Sequence, residues 1–185
     1  MNRLEAINTI IDTLSGGELI IHANGAMSRE SFSCQDRSEN FYLLGSMGLA
    51  SSVALGVAIH QPRRKVVVMD GDGNILMGLG NLALIGALQP RNLVHLVLDN
   101  QTYGTTGDQP TISLHLPLHR IAQAAGYREA HLVDQKNELR EVFTNSLSHK
   151  GPIFIQIKVG QEVLQPSPRI PYSAREIKER FMSSF

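Results

Sequence analysis

One cysteine, no tryptophan and no excess of charge of either sign are the first facts of this 185-residue sequence. The lone Cys34 can close no intrachain disulfide and cannot supply the roughly four thiolates that an iron–sulfur cluster requires. A chain of this length buries about 70% of its unfolded surface and needs no such staple. An unpaired thiol fits a reducing, cytoplasmic setting. Lys+Arg 17 balance Asp+Glu 17, and the basic cluster Arg63-Arg64-Lys65 is only three residues long. That leaves no stripe able to release phosphate counterions, so no nucleic-acid partner is expected. Long apolar runs are missing too. The uncharged stretch Tyr42 to Ile59 covers 18 residues, but Gly45, Gly48, Gly56, Ser46, Ser51 and Ser52 interrupt it. It falls short of the roughly 20 apolar residues of a membrane span and reads as a buried helix. Met1 to Leu14 carries Arg3, Glu5 and Asp12, which excludes the apolar centre of an export signal.

What is present is an alternation of short apolar strands and helices. Leu4, Ile7, Ile10, Ile11 and Leu14 follow the helical period, and Gly16-Gly17 stops them. Glu18 to His22 reads as a strand, Asn24 to Asn40 as a polar loop, and Phe41 to Leu44 as a second short strand. Met47 to Ile59 reads as a helix buried on every face, closed by Pro62. Lys65 to Met69 and Asn92 to Leu98 are nearly continuous aliphatic runs, as expected for parallel strands covered on both faces. A helix over Ile75 to Leu88 joins them. Further on, Leu118 to Ala125, Asn137 to Ser148 and Ser173 to Met182 predict helices, the last capped by Ser173, while Glu129 to Val133 and Ile153 to Val159 predict strands. This pattern predicts an α/β fold, a doubly wound parallel sheet with helices on both faces, in a single domain over 1–185 in which 161–185 form a C-terminal tail and helix.

In such sheets the ligand sits outside the carboxyl ends of the strands. Two loops there are unusual. The first is Asp70-Gly71-Asp72-Gly73-Asn74, whose glycines let the backbone come close to a ligand before a helix begins, and helix N-termini attract phosphate. The second runs from Asp99-Asn100-Gln101-Thr102-Tyr103-Gly104 to Gly107. Taken alone, each holds common turn dipeptides. On adjacent strands they offer a carboxylate, an amide oxygen and backbone carbonyls, the hard oxygen set that Mg²⁺ prefers alongside phosphate and water. The joint reading is a Mg²⁺–diphosphate site.

The spacing Gly71-Asp72-Gly73, then the 25 residues Asn74 to Leu98, then Asp99-Asn100, resembles the diphosphate-binding motif of thiamine-diphosphate enzymes. Gly45-Ser46-Met47-Gly48 resembles the GxMG element of the same family, and the likeness runs from about Glu18 to Val159. The segments Phe41 to Ala58 and Leu98 to Thr111 are most similar to the branch of sulfopyruvate and phosphonopyruvate decarboxylases, and a separate chain of this length resembles a beta-type subunit. The resemblance implies that Asp72 and Asn100 hold Mg²⁺ through their side chains and Thr102 through its carbonyl. Gly73 and Asn74 would present N–H groups to the diphosphate, joined by Tyr103 and Gly104. Met47 would wedge between the cofactor rings, where a flexible thioether fills well, Ser46 would flank it, and the Gly45 carbonyl would accept a hydrogen bond from the aminopyrimidine. Two residues depart from the wider family pattern: Asp99 stands where the first Asn is usual, and is expected to face the loop backbone, and Asp108 stands where a second Gly is more common.

The resemblance also implies a missing part. Thiamine-diphosphate chemistry uses a Glu on a pyrimidine-binding domain, and neither Met1–Gly17 nor Gln101–Phe185 has room for one. The Glu is therefore expected in trans, from a pyrimidine-domain, alpha-type subunit in a homo- or hetero-oligomer, with no catalytic residue in this chain. The implied reaction is decarboxylation of a small anionic 2-oxo acid, sulfopyruvate to sulfoacetaldehyde plus CO₂. Arg29 and Arg37 are candidates for the sulfonate and His115 and His119 for an approach to the site, while Tyr127 and His131 read as structural. A phosphonopyruvate decarboxylase, a carboligase half and a non-catalytic cofactor-binding module are the other readings. A nicotinamide site is excluded because Leu76 stands where G-x-G-x-x-G requires its last Gly.

Overall fold

The computed structural model describes residues 1–161 and 167–185, so the part of the expected tail at 162–166 lies outside the described residues. Six parallel strands form the sheet: β1 (Leu19–His22), β2 (Asn40–Tyr42), β3 (Val66–Gly71), β4 (Leu93–Asp99), β7 (Glu129–Val133) and β8 (Ile153–Lys158). Their order is β2-β1-β3-β4-β8-β7. The aliphatic runs of β3 and β4 are buried along almost their whole length, because helices cover both faces. One layer contains α1 (Arg3–Thr13), α2 (Ala26–Cys34) and α7 (Lys136–Ser148), and the other α3 (Ala50–His60), α5 (Gly80–Leu88) and α6 (Leu118–Ala124). The short α4 (Asp72–Met77) follows β3 directly, and α8 (Ala174–Met182) packs on β2 behind a capping box of Ser173 and Glu176. A two-stranded hairpin, β5 (Thr102–Tyr103) with β6 (Gln109–Pro110), leads into a 3₁₀ turn at Ile112–Leu114.

Register brings the functional ends level. His22 pairs with Met69, and Gly71 pairs with Leu98, so the loops after β1, β3 and β4 leave the same edge. The chain leaves β1 for β2 on one side and returns to β3 on the other, which makes the gap between β1 and β3 a topological switch point.

Three expected elements are corrected. Asn24 to Asn40 is no plain loop, since it contains α2. Its buried positions include Ser28, Glu30 and Ser31, and polar side chains there concealed the helical period. The segment from Met47 to Ile59 becomes helical only at Ala50, because Ser46 (φ 57) and Gly48 (φ 90) are left-handed. That helix is not buried all round either: Ile59 is 52% exposed. Last, the helix expected over Ile75 to Leu88 begins at Asp72 and breaks between α4 and α5, at Gly78 and Leu79.

The break has a packing cause. Gly78 lies against Gly48, and Asn81 Nδ2 donates to the Gly48 carbonyl at 3.0 Å and to Ser51 Oγ at 3.2 Å. A Cβ at position 78 would overlap the Gly48 carbonyl oxygen. Gly78→Ala is therefore expected to cost about 1–3 kcal/mol, read as a fall of several degrees in the thermal unfolding midpoint. A midpoint equal to wild type would show that the 45–48 loop is not held by this contact.

Candidate functional site: a cavity at the strand ends

The loops after β1, β3 and β4 enclose a cavity of about 290 Å³. From β1 come Asn24 to Met27, from β3 Gly71 to Asn74, and from β4 Asn100 with Thr102 to Thr105. Met47 closes one side, and Arg29, Glu30 and Arg3 another. Two helices, α2 and α4, begin at this cavity, N-capped by Gly25 and Gly71, and neither has a side-chain cap. The N-cap residues of both helices supply no capping oxygen, and although Gly73 N–H is used by the Asp72 carboxylate, the remaining first-turn N–H groups, Asn74's among them, have no intrahelical acceptor, which makes the cavity attractive to an anion.

The predicted residues fall into place unevenly. Met47, Asp72, Gly73, Asn74, Asn100, Thr102, Tyr103 and Gly104 all line the cavity, whereas Gly45 and Ser46 are exposed beside it. Gly73 permits a close approach: a Cβ there would stand 2.6 Å from Tyr103 Cε1 and 3.2 Å from Met47 Cε. Asn74 ties the neighbouring loops together, since its Oδ1 accepts from Gly48 N–H and its Nδ2 donates to the Asn24 carbonyl, both at 3.4 Å. Asn100 Oδ1 accepts from Thr102 N–H at 3.2 Å, which bends the chain back over the cavity. Thr102 Oγ1 is buried without a partner among the described residues. Asp108 takes the left-handed conformation (φ 57) that an Asp tolerates, next to Gly107 (φ 132), and so accommodates the departure at that position.

The two acidic residues of the loops behave differently. Asp99 is fully buried; its Oδ1 accepts from Gln101 N–H (3.1 Å) and Ser113 Oγ (2.8 Å), and its Oδ2 from Gln156 Nε2 and Lys158 Nζ (2.6 Å each). One of its four partners is the loop backbone, at Gln101 N–H; the other three are side chains, and Lys158 among them is its own cation. Asp72 is 3% exposed and accepts from Thr111 Oγ1 at 2.6 Å and Ser113 Oγ at 3.2 Å, but no cation pairs with it among the described residues. Burial pushes its carboxyl up, and Asp99 adds to the push, while the hydrogen bonds from Thr111, Gly73 and Ser113 oppose it.

Of the remaining candidates, Arg29 lines the cavity, but Arg37 is spent on the Glu18 carbonyl and Asn40 Oδ1. His119 Nδ1 bonds Gln156 Oε1 at 2.8 Å and so supports the Asp99 cluster from behind, and His115 is exposed. Tyr127 is structural: its hydroxyl meets His95 Nδ1 at 3.0 Å, and His95 Nε2 lies 3.4 Å from Asp70 Oδ2, a buried relay whose Asp70 Oδ1 accepts from Gly71 N–H. His131 Nε2 lies 3.2 Å from Glu129 Oε2 on a half-buried surface. Sequence reading missed Asn24 to Met27, Thr111 and Ser113. Gly25, three residues past the end of β1 at the switch point, is the signal that could have found the first group; the two hydroxyls carry none.

Open α/β sheets hold phosphorylated ligands at such a strand edge, and this cavity is of that class. The chain belongs to the thiamine pyrophosphate enzymes: residues 24–157 match the family described as "Thiamine pyrophosphate enzyme, C-terminal TPP binding domain". It is 42% identical over 184 residues to the sulfopyruvate decarboxylase subunit beta of Methanothermobacter thermautotrophicus, covering 98% of this chain and 94% of that one. It is 38% identical over 179 residues to the phosphonopyruvate decarboxylase of Streptomyces viridochromogenes, covering 97% of this chain but only 45% of that protein's length. Among solved structures, the thiamine diphosphate-dependent 4-hydroxybenzoylformate decarboxylase of Rhodococcus jostii superposes with a TM-score of 0.75 at 18% identity, over 88% of this chain and 33% of that one. It shares the fold. No helix among the described residues is long and apolar enough to cross a membrane.

A carboxyl whose folded pKa lies above its unfolded value binds its proton more tightly in the folded chain, so stability falls as pH rises through that interval and the penalty stays at higher pH. Asp72→Asn is accordingly expected to raise the thermal midpoint of the ligand-free chain at pH 8, with the gain disappearing below the ordinary carboxylate range. Equal midpoints at pH 8 would mean that the buried charge is compensated.

Proposed function

We propose that this chain is the diphosphate-binding subunit of a Mg²⁺- and thiamine-diphosphate-dependent 2-oxo acid decarboxylase, acting on sulfopyruvate with a separate pyrimidine-domain subunit. The observation that carries the reading is Asp72, a buried carboxylate with no cation partner among the described residues, set where two uncapped helix N-termini meet. An isolated buried charge is costly. A divalent cation next to Asp72 and a diphosphate over the helix ends would relieve both the carboxylate and the free N–H groups. The donors fit: the Asp72 carboxylate, the Asn100 amide oxygen and the Thr102 carbonyl for Mg²⁺, with Gly73, Asn74, Tyr103 and Gly104 around the phosphates. The N–H groups at the start of α2 join them. When bound, thiamine diphosphate supplies the electron sink for the pair released as CO₂ leaves.

The chain's own residues would bind and orient. Met47, lying against Gly73, would fill the bend between the rings, and the Gly45 carbonyl would hold the aminopyrimidine. Arg29, half-buried at the cavity and without a side-chain partner among the described residues, is the cation available for a sulfonate. The activating carboxylate is another matter. Among the described residues the Glu lining the cavity is Glu30, and Arg3 takes both of its oxygens at 2.7 and 2.6 Å. That supports a Glu supplied by another subunit. The exposed apolar side chains Leu44 (55%), Leu49 (50%) and Met77 (64%) cluster around the Met47 loop, Met77 touching Gly48, and offer a surface for that subunit. At about 290 Å³ the cavity lies at the low end for an enclosed ligand and suits the phosphate end of the cofactor, with the rings left for a partner to cover. The match over 94% of a chain named subunit beta supports the two-subunit form and sulfopyruvate over phosphonopyruvate.

The test is a coupled assay on sulfopyruvate, phosphonopyruvate and pyruvate with Mg²⁺ and thiamine diphosphate, run with and without a co-expressed pyrimidine-domain subunit. Turnover is expected only with that subunit, greatest on sulfopyruvate, and reduced at least about 100-fold in Asp72→Ala, in line with a lost charge-stabilising group. Turnover by the chain alone would overturn the need for a Glu in trans, and a preference for pyruvate would overturn the substrate.

A further inference from the structure

We infer that Thr111 and Ser113 are positioning residues for the metal ligand Asp72, and that Asp99 anchors their turn instead of touching the cation; this rests on the Mg²⁺ reading above. Both hydroxyls reach Asp72 on one oxygen, Oδ2, at 2.6 Å from Thr111 and 3.2 Å from Ser113. Oδ1 carries no side-chain hydrogen bond among the described residues. A carboxylate clamped through one oxygen has its rotation fixed and the other oxygen presented. All three side chains are 3% exposed, so water does not compete for these bonds.

The direction of the protons follows from chemistry. Each hydroxyl has one proton, and each carboxylate only accepts. Thr111 gives its proton to Asp72 at 2.6 Å, and Ser113 shares its single proton between Asp99 Oδ1 at 2.8 Å and Asp72 Oδ2 at 3.2 Å. The turn is then pinned between two carboxylates that would otherwise repel each other across it. Lys158 Nζ, 2.6 Å from Asp99 Oδ2, neutralises the rear carboxylate and leaves the front one for a divalent cation. Thr111 N–H also donates to the Gln101 carbonyl at 2.8 Å, so the same turn closes the loop that carries Asn100 and Thr102. Three proposed ligands therefore depend on one hydroxyl-bearing turn.

The experiment uses the full chain in complex with the pyrimidine-domain subunit and saturating thiamine diphosphate, titrated with Mn²⁺ and followed by electron paramagnetic resonance. Thr111→Val keeps the side-chain shape and removes the donor; it should weaken Mn²⁺ binding about 10–100-fold, while Thr111→Ser should stay within about threefold of wild type and restore the wild-type spectrum of the bound ion. Thermal unfolding without metal identifies a variant that fails to fold. In that case Ser113→Ala, which leaves the Thr111 bond in place, should still lower Mn²⁺ affinity. Wild-type Mn²⁺ binding by Thr111→Val, or by a folded Ser113→Ala when the first variant does not fold, overturns the positioning role and leaves the metal site standing. Failure of the wild-type chain to take up Mn²⁺ overturns the metal reading, and this inference with it.

Discussion

Two carboxylates buried within reach of one serine hydroxyl are the constraint around which this strand edge is built. In a low-dielectric interior neither Asp72 nor Asp99 could remain ionised without compensation. The fold resolves the conflict asymmetrically. Asp99 receives Lys158, Gln156 and a backbone N–H, while Asp72 receives hydroxyls and, among the described residues, no cation. The asymmetry makes Asp72 a poor stabiliser of the empty protein and suits it to the metal-ligand role proposed for it, a familiar exchange of stability for function. It also explains why an Asp is tolerated where the wider family uses Asn: the added charge is met by Lys158, one strand away on β8 and directly paired in register with Asp99.

The anion side of the cavity depends on the same sheet. Because β1, β3 and β4 end level, the N-termini of α2 and α4 converge, and free N–H groups from two helices face one volume. A single helix start attracts phosphate weakly in water; two in a half-closed cavity supply charge and geometry together. The apolar residues around the Met47 loop remain exposed for a different reason. Leu44, Leu49 and Met77 belong to segments whose inner faces are already occupied by Gly48, Gly78 and Asn81.

Much of the scaffold could be read from residue order. Strands β3 and β4 announce themselves because a strand covered on both faces must be apolar throughout, and the acidic loops that follow them are set at a spacing that one helical crossover, α4 with α5, dictates. The capping box at Ser173 and Glu176 is local chemistry and was equally readable. Helix α2 was not, since its buried face carries Ser28, Glu30 and Ser31, polarity that makes sense only once Arg3 of α1 is seen taking Glu30. Nor was the break at Gly78, whose cause is a carbonyl thirty residues earlier.

The sequence by itself determined the class of fold, the two loops that meet at the strand ends, and the residue types able to hold a metal and a diphosphate, because periodicity, turn chemistry and spacing are properties of neighbours along the chain. Only the tertiary structure decided which carboxylate is left without a cation, that α2 adds a second helix start, and that Thr111 and Ser113 reach back 39 and 41 residues to Asp72. Those outcomes depend on hydrogen bonds and burial between segments distant in the chain, and such contacts exist only after the sheet has closed.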